Sequence, residues 1–221
     1  MGRRFFFSLI FLLAVAGLLF FTTSVPVPTG WLPGGRLVNQ RSQELARRAL
    51  AQVEVVPQRV RVVGYDRTRF LQGWEHSIAP DGSYCSTREL VLNLSFPTEP
   101  DSPCPRAIGE AADEYSAAPV RPQGVDIDHI VPLAAAWDLG AHAWSAEKRH
   151  RFANDWHYNL AVTASEINRE KSDATLEAWL PPNPAAQCPY AARYLVVIVR
   201  YGLAITTGDA AVAREVCQLP R

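Results

Sequence analysis

What this chain of 221 residues lacks first is net charge: Lys and Arg together number 22, Asp and Glu number 22, and the formal charge at pH 7 is zero. A protein that wraps a polyanion by counterion release is ordinarily basic, so any polyanionic partner must be held by a few local cations and not by a global field. Removing the first 24 residues takes away Arg3 and Arg4 and no acid, leaving 20 basic against 22 acidic residues. Internal repeats and low-complexity tracts are also missing, which excludes a solenoid. With 48% hydrophobic residues the chain can bury one substantial core. No two of the four cysteines stand as a C-x₂₋₄-C pair and none has a histidine at ligand spacing, which excludes a structural zinc site.

What is present begins with an export leader. Met1-Gly2-Arg3-Arg4 is a basic start, Phe5 to Phe21 is uninterruptedly apolar, and Thr22-Thr23-Ser24 follows. The apolar run is longer than in a typical signal peptide and slightly shorter than the roughly 20 residues of a comfortable membrane span. Cleavage after Ser24 and membrane anchoring therefore both stay open; an Ala-x-Ala is missing, and the absence of a cysteine after the run argues against a lipoprotein. The expected division is a leader over 1–24, a proline- and glycine-bearing spacer over 25–40 and one domain over 41–221. Behind an export signal, Cys85, Cys104, Cys188 and Cys217 read as disulfides. Of the three possible pairings, Cys85 with Cys104 and Cys188 with Cys217 closes loops of moderate length, each worth on the order of 3 kcal/mol in the chain-entropy model, and is the one expected.

Periodicity places a helix over 42–53 with Ser42 as its N-cap, and a strand over 59–63 whose Arg59 and Arg61 share a solvated face. A short helix starts at Ser86, and prolines make 97–122 irregular, with room for one strand. A strand over 125–130 ends at Pro132, helices follow over 134–139 and 145–152, and a second strand covers 159–163. A helix opening at Ser165 carries Asn168 and Lys171, and buried helices are expected over 190–201 and 209–217.

The chemistry-bearing stretch is Val125-Asp126-Ile127-Asp128-His129-Ile130-Val131-Pro132, answered downstream by Asn159 and by Asn168-Arg169-Glu170-Lys171. It supplies oxygen ligands, a neutral base and a cation, the parts a one-metal phosphodiesterase needs. These residues, with Asn159-Leu160-x-Val162-Thr163-x-Ser165, resemble the HNH endonucleases, whose core is the ββα-metal (His-Me) finger and which include the HNH domain of RNA-guided CRISPR nucleases. The resemblance is closest to a secreted actinobacterial branch related to the C-terminal nuclease domain of GmrSD-type restriction enzymes. It extends to Gly64-Tyr65-Asp66-Arg67, Cys85-Ser86-Thr87-Arg88, Phe152-Ala153-Asn154-Asp155 and Ala178-Trp179-Leu180-Pro181-Pro182, and so covers most of the chain after residue 40.

The resemblance implies an α+β fold, a ββα-metal core over about 124–173 with helices around it and disulfide-tied extensions. It implies that His129 is the general base, that Asp128 and Asn168 bind the metal, and that Asn159 hydrogen-bonds backbone in the loop after His129. Adjacent residues on an ideal strand leave opposite faces, which agrees with different roles for Asp128 and His129. Two hard oxygen ligands plus waters suit Mg²⁺, with Mn²⁺ as a substitute. Lys171, three residues beyond Asn168, is expected to neutralise phosphate charge, Asp126 to support Asp128 from the same strand face, and Arg67 and Arg88 to grip phosphates. The other histidines, His76, His142, His150 and His157, read as surface or loop residues, and the six tryptophans and seven tyrosines as core packing. The expectation is thus an exported, monomeric, Mg²⁺-dependent endonuclease with little sequence preference, acting on DNA or else RNA. The alternative is a catalytically inactive module of the same fold that binds nucleic acid or the cell envelope.

Overall fold

The computed structural model describes residues 35–220, with side chains from residue 39 onward, so the leader and most of the expected spacer lie outside the described residues. The described elements run α1 (Gly35–Leu50), β1 (Glu54–Val56), β2 (His76–Ile78), β3 (Tyr84–Ser86), α2 (Thr87–Ser95), β4 (Thr98–Glu99), β5 (Arg106–Ala107), β6 (Ala111–Ala112), β7 (Pro119–Val120), β8 (Val125–His129), α3 (Leu133–Asp138), α4 (Ala146–Ala153), β9 (Leu160–Ala164), α5 (Ser165–Lys171), α6 (Pro184–Tyr201), β10 (Ala204–Thr206) and α7 (Thr207–Val216). The fold is α+β as expected: helices enclose the core and the strands form five separate two-stranded sheets.

α1 begins seven residues before Ser42, so the expected spacer ends in helix and Ser42 is no cap. Ser42, Ala46 and Ala49 recur at helical spacing and are all buried, a seam of small side chains facing the core that α6 supplies. The expected strand over 59–63 is also corrected. The ladder lies earlier, in β1, which pairs in parallel with β10. Residues 59–62 join no ladder, and α3 satisfies the backbone of Val62: its amide donates to Asp138 Oδ1 at 2.9 Å and Trp137 Nε1 donates to its carbonyl at 3.2 Å. Arg59 is half-buried between two carboxylates, 2.7 Å from Asp138 and 2.8 Å from Asp173, and Arg61 reaches Asp173 at 2.8 Å. The solvated arginine face is thus an ion-pair cluster that ties the chain to α3 and to the residues after α5.

The main core gathers around α6, whose Tyr194, Leu195, Val197 and Ile198 are fully buried. Cys188–Cys217 joins α6 to the end of α7, and Cys85–Cys104 joins β3 to the loop after β4, the pairing expected from the sequence. α2 starts at a capping box in which Ser86 and Glu89 exchange hydrogen bonds.

β8 and β9 are antiparallel, with Asp128 opposite Ala161 and His129 opposite Leu160, and α5 follows β9 without a loop. Strand, strand and helix stand in the order the ββα core requires. Side-chain alternation along β8 then separates two faces. Val125 and Ile127 enter a small core with Val91 and Phe96 of the α2 region, while Asp126 and Asp128 turn to α5.

Candidate active site

The end of β8 opens into a cleft of about 590 Å³ lined by Arg61, Tyr65, Arg67, Asp128, His129, Asn168 and Arg169, among others. α5 meets β8 along two rungs. Asn168 Nδ2 lies 3.2 Å from Asp126 Oδ2, and Lys171 Nζ lies 2.6 Å from Asp128 Oδ2. The three-residue step on a helix is matched to the two-residue step on a strand, so both side chains of α5 find a carboxylate.

The rungs assign each group. A carboxylate only accepts, so the Asn168 amide turns its NH₂ to Asp126, which leaves its carbonyl oxygen as the atom that could act as a ligand. Asp128 Oδ2 accepts from Tyr115 Oη at 2.6 Å as well as from Lys171. With Oδ2 taken by two donors, Oδ1 is the oxygen left without either of them. Burial lifts the Tyr115 phenol well above its ordinary pKa, with the Asp128 charge adding to it, so Tyr115 acts as a hydrogen donor. Burial pushes the Lys171 ammonium down, opposed by Asp128.

His129 sits on the other face of the strand. Its Nε2 is 2.9 Å from the Ala153 carbonyl, and since a carbonyl accepts, Nε2 carries the hydrogen and Nδ1 holds the free lone pair. The Trp74 ring lies parallel to the imidazole, with centroids 5.9 Å apart and an interplanar angle of 10°. Burial, aided by the charges of Arg67 and Lys171, lowers the His129 pKa to about 3 and keeps the ring neutral. Asn159, fully buried, takes the Val131 amide on Oδ1 at 3.0 Å and gives Nδ2 to the Phe152 carbonyl at 3.2 Å. It therefore clamps the loop after His129 to the α4 turn whose next carbonyl holds the imidazole.

Among the expected site residues, Asp128, His129, Asn168 and Arg67 come together in the cleft, Asp126 orients Asn168, and Asn159 sits beneath the loop. Lys171 departs from its expected role. It is 0% exposed, with Nζ spent on Asp128 and on the His129 carbonyl at 2.7 Å, so it holds the carboxylate and has no surface to offer a phosphate. Arg88, on α2, is not among the residues lining the cleft. Tyr115 and Trp74 were not anticipated. No periodicity marks either one, because each acts across the fold. Of the other histidines, His76, His142 and His157 are exposed, as expected.

Among the described residues no group of three or more His, Cys, Asp or Glu side chains could hold a metal ion. Asp128 and Asn168, which both line the cleft, carry hard oxygen donors of the kind that fit a Mg²⁺ ion completed by water.

Over residues 87–211 the chain matches the family described as GmrSD restriction endonucleases, C-terminal domain. It is also 32% identical over 202 residues, covering 90% of this chain and 93% of the relative, to a protein of Arthroderma benhamiae (strain ATCC MYA-4681 / CBS 112371) described as an uncharacterized secreted protein. No solved structure gives a significant match. The matched region takes in every residue of the two rungs, the imidazole and its clamp, and on that match the chain belongs to the family of the GmrSD restriction endonuclease C-terminal domain.

Proposed function

We propose that this protein is an exported, metal-dependent endonuclease that hydrolyses phosphodiester bonds by His129-activated water. The observation that carries the reading is the assigned imidazole: Nε2 is tied to the Ala153 carbonyl, which leaves the lone pair on Nδ1, and His129 lines the same cleft as Asp128 and Asn168. Export rests on the two disulfides, on the leader and on the secreted relative. No helix among the described residues is long and apolar enough to cross a membrane.

Asp128 and Asn168 would hold the ion, which supplies charge stabilisation to the phosphate and to the leaving oxygen. The protein's own residues do the remaining work. Nδ1 of His129 takes the proton from the attacking water, and the Ala153 carbonyl and the Trp74 ring keep the imidazole from rotating. Lys171 and Tyr115 keep Asp128 in one orientation. The substrate is DNA, with RNA as the other candidate, and the ion Mg²⁺ or Mn²⁺.

The test is cleavage of supercoiled plasmid and of RNA by the oxidised protein with Mg²⁺, with Mn²⁺, with EDTA, and with His129→Ala. Metal-dependent nicking that disappears in the variant supports the reading; folded protein that cuts neither substrate with either ion overturns it.

A further inference from the structure

Among the residues that line the cleft, Arg61, Tyr65, Arg67 and Arg169 carry charged or aromatic side chains that take no part in seating Asp128, His129 or Asn168. Arg61 is engaged by Asp173. Arg67 and Arg169 are exposed, and neither has an ion-pair partner among the described residues. Arg67 is close enough for its charge to act on His129. Tyr65 is 39% exposed, a large aromatic ring at the wall of a polar cleft. Phe70 and Trp137 meet it with centroids 6.3 Å away at interplanar angles of 52° and 65°, so neither lies flat against the ring.

The local sequence holds this pair rigidly. Gly64 takes φ +93°, a left-handed conformation that glycine adopts without strain, and so turns the chain just before Tyr65. Asp66 then caps the short 3₁₀ turn Arg67–Arg69, accepting from the Thr68 amide at 2.8 Å and from the Thr68 hydroxyl at 2.7 Å. Phe70, 1% exposed, anchors the end of the turn in the core. A backed, partly exposed ring and a free guanidinium are thereby presented two residues apart on a capped turn.

Resting on the nuclease reading above, we propose that Tyr65, Arg67 and Arg169 form a subsite for an unpaired nucleotide beside the scissile phosphodiester, so that single-stranded nucleic acid is taken in preference to duplex. Tyr65 stacks on the base, while Arg67 and Arg169 hold phosphates on either side. Inside a duplex both faces of a base are covered by its neighbours, so a protein ring can stack only on a base that is unpaired or splayed out. The absence of net charge makes this stacking matter. With few phosphate contacts available, sequence-tolerant base stacking supplies a large share of the affinity.

The experiment measures binding of the oxidised full-length protein to a short labelled DNA strand, and to the same strand as a duplex, by fluorescence anisotropy in EDTA. Cleavage of both in Mg²⁺ is followed in parallel. Tyr65→Ala is expected to weaken single-strand binding about 5- to 150-fold and to erase the preference over duplex, while Tyr65→Phe and Tyr65→Trp retain it. Arg67→Ala is expected to reduce the slope of log affinity against log salt by about 0.7. Equal binding of strand and duplex by the wild type, or a Tyr65→Ala protein that binds the strand as tightly as the wild type, overturns the subsite. Hydrolysis of bis(p-nitrophenyl) phosphate, which carries no base, separates the two readings. If the wild type cuts neither this diester nor DNA, the nuclease reading falls, and the anisotropy still decides whether the subsite exists.

Discussion

Lys171 and Asp128 form an ion pair out of reach of solvent, with Nζ 2.6 Å from Oδ2 and side chains 0% and 5% exposed. The same ammonium also donates to the backbone carbonyl of His129. One cation thus ties the end of β8 to the end of α5 and holds one oxygen of Asp128.

Removing it leaves a buried carboxylate with one donor, Tyr115. Lys171→Met is expected to lower unfolding stability by about 3–5 kcal/mol, the cost of breaking a buried pair from one side. Tyr115→Phe, which removes one hydrogen bond to the same charged oxygen, is expected to cost about 1.5–3 kcal/mol. Denaturant unfolding checks both values, and a Lys171→Met protein as stable as the wild type would show that the pair is not what seats Asp128.

The imidazole makes a pH prediction. His129 has its pKa lowered from 6.5 to about 3 in the fold, so the unfolded chain takes up this proton first as the pH falls. Its contribution to stability is complete above pH 6.5 and is lost as the pH drops toward 3, at up to about 1.4 kcal/mol per pH unit. Thermal unfolding of metal-free protein between pH 7 and 4 should therefore fall more steeply for the wild type than for His129→Asn. Parallel curves would mean that the folded imidazole titrates normally.

Asp126 orients Asn168 without being a candidate ligand itself. Asp126→Ala frees the amide to turn, and Mn²⁺ binding followed by electron paramagnetic resonance is expected to weaken about 10- to 100-fold, as for other groups that orient a metal ligand. Asn168→Ala should weaken it at least as much. Unchanged Mn²⁺ affinity in both variants would remove Asn168 from the ion's coordination.

The disulfides close loops of 19 and 29 residues. Reducing both is expected to cost about 3–4 kcal/mol each in the chain-entropy model, read as a drop in the urea midpoint. A midpoint unmoved by reductant in protein shown by thiol titration to be reduced would contradict this.

Much of the site was legible because it is local. The order β8, β9, α5 follows from short apolar runs and from a helix start directly after the second strand. The parity of a strand already separated Asp128 from His129, and three-residue spacing already put Asn168 and Lys171 on one helix face. The cysteine pairing followed from loop length. The bond of Asn159 to the backbone after His129 was implied by the family resemblance and not by locality, since its partner Val131 lies 28 residues away.

What a side chain meets across the fold is a different matter. Lys171 pairs 43 residues away and Arg59 pairs 79 and 114 residues away, and at such separations periodicity carries no information. A lysine three residues after an asparagine reads the same whether it reaches a phosphate or a buried carboxylate. Trp74 and Tyr115 read as core aromatics until the chain brings one parallel to the His129 ring and the other onto Asp128. The sequence by itself determined the local parts: a strand with carboxylates and an imidazole on opposite faces, a helix that answers it, and the covalent ties. Only the tertiary structure decided which groups are buried and paired and which stand free in the cleft, because burial and pairing are properties of surfaces that meet, and those surfaces come from distant parts of the chain.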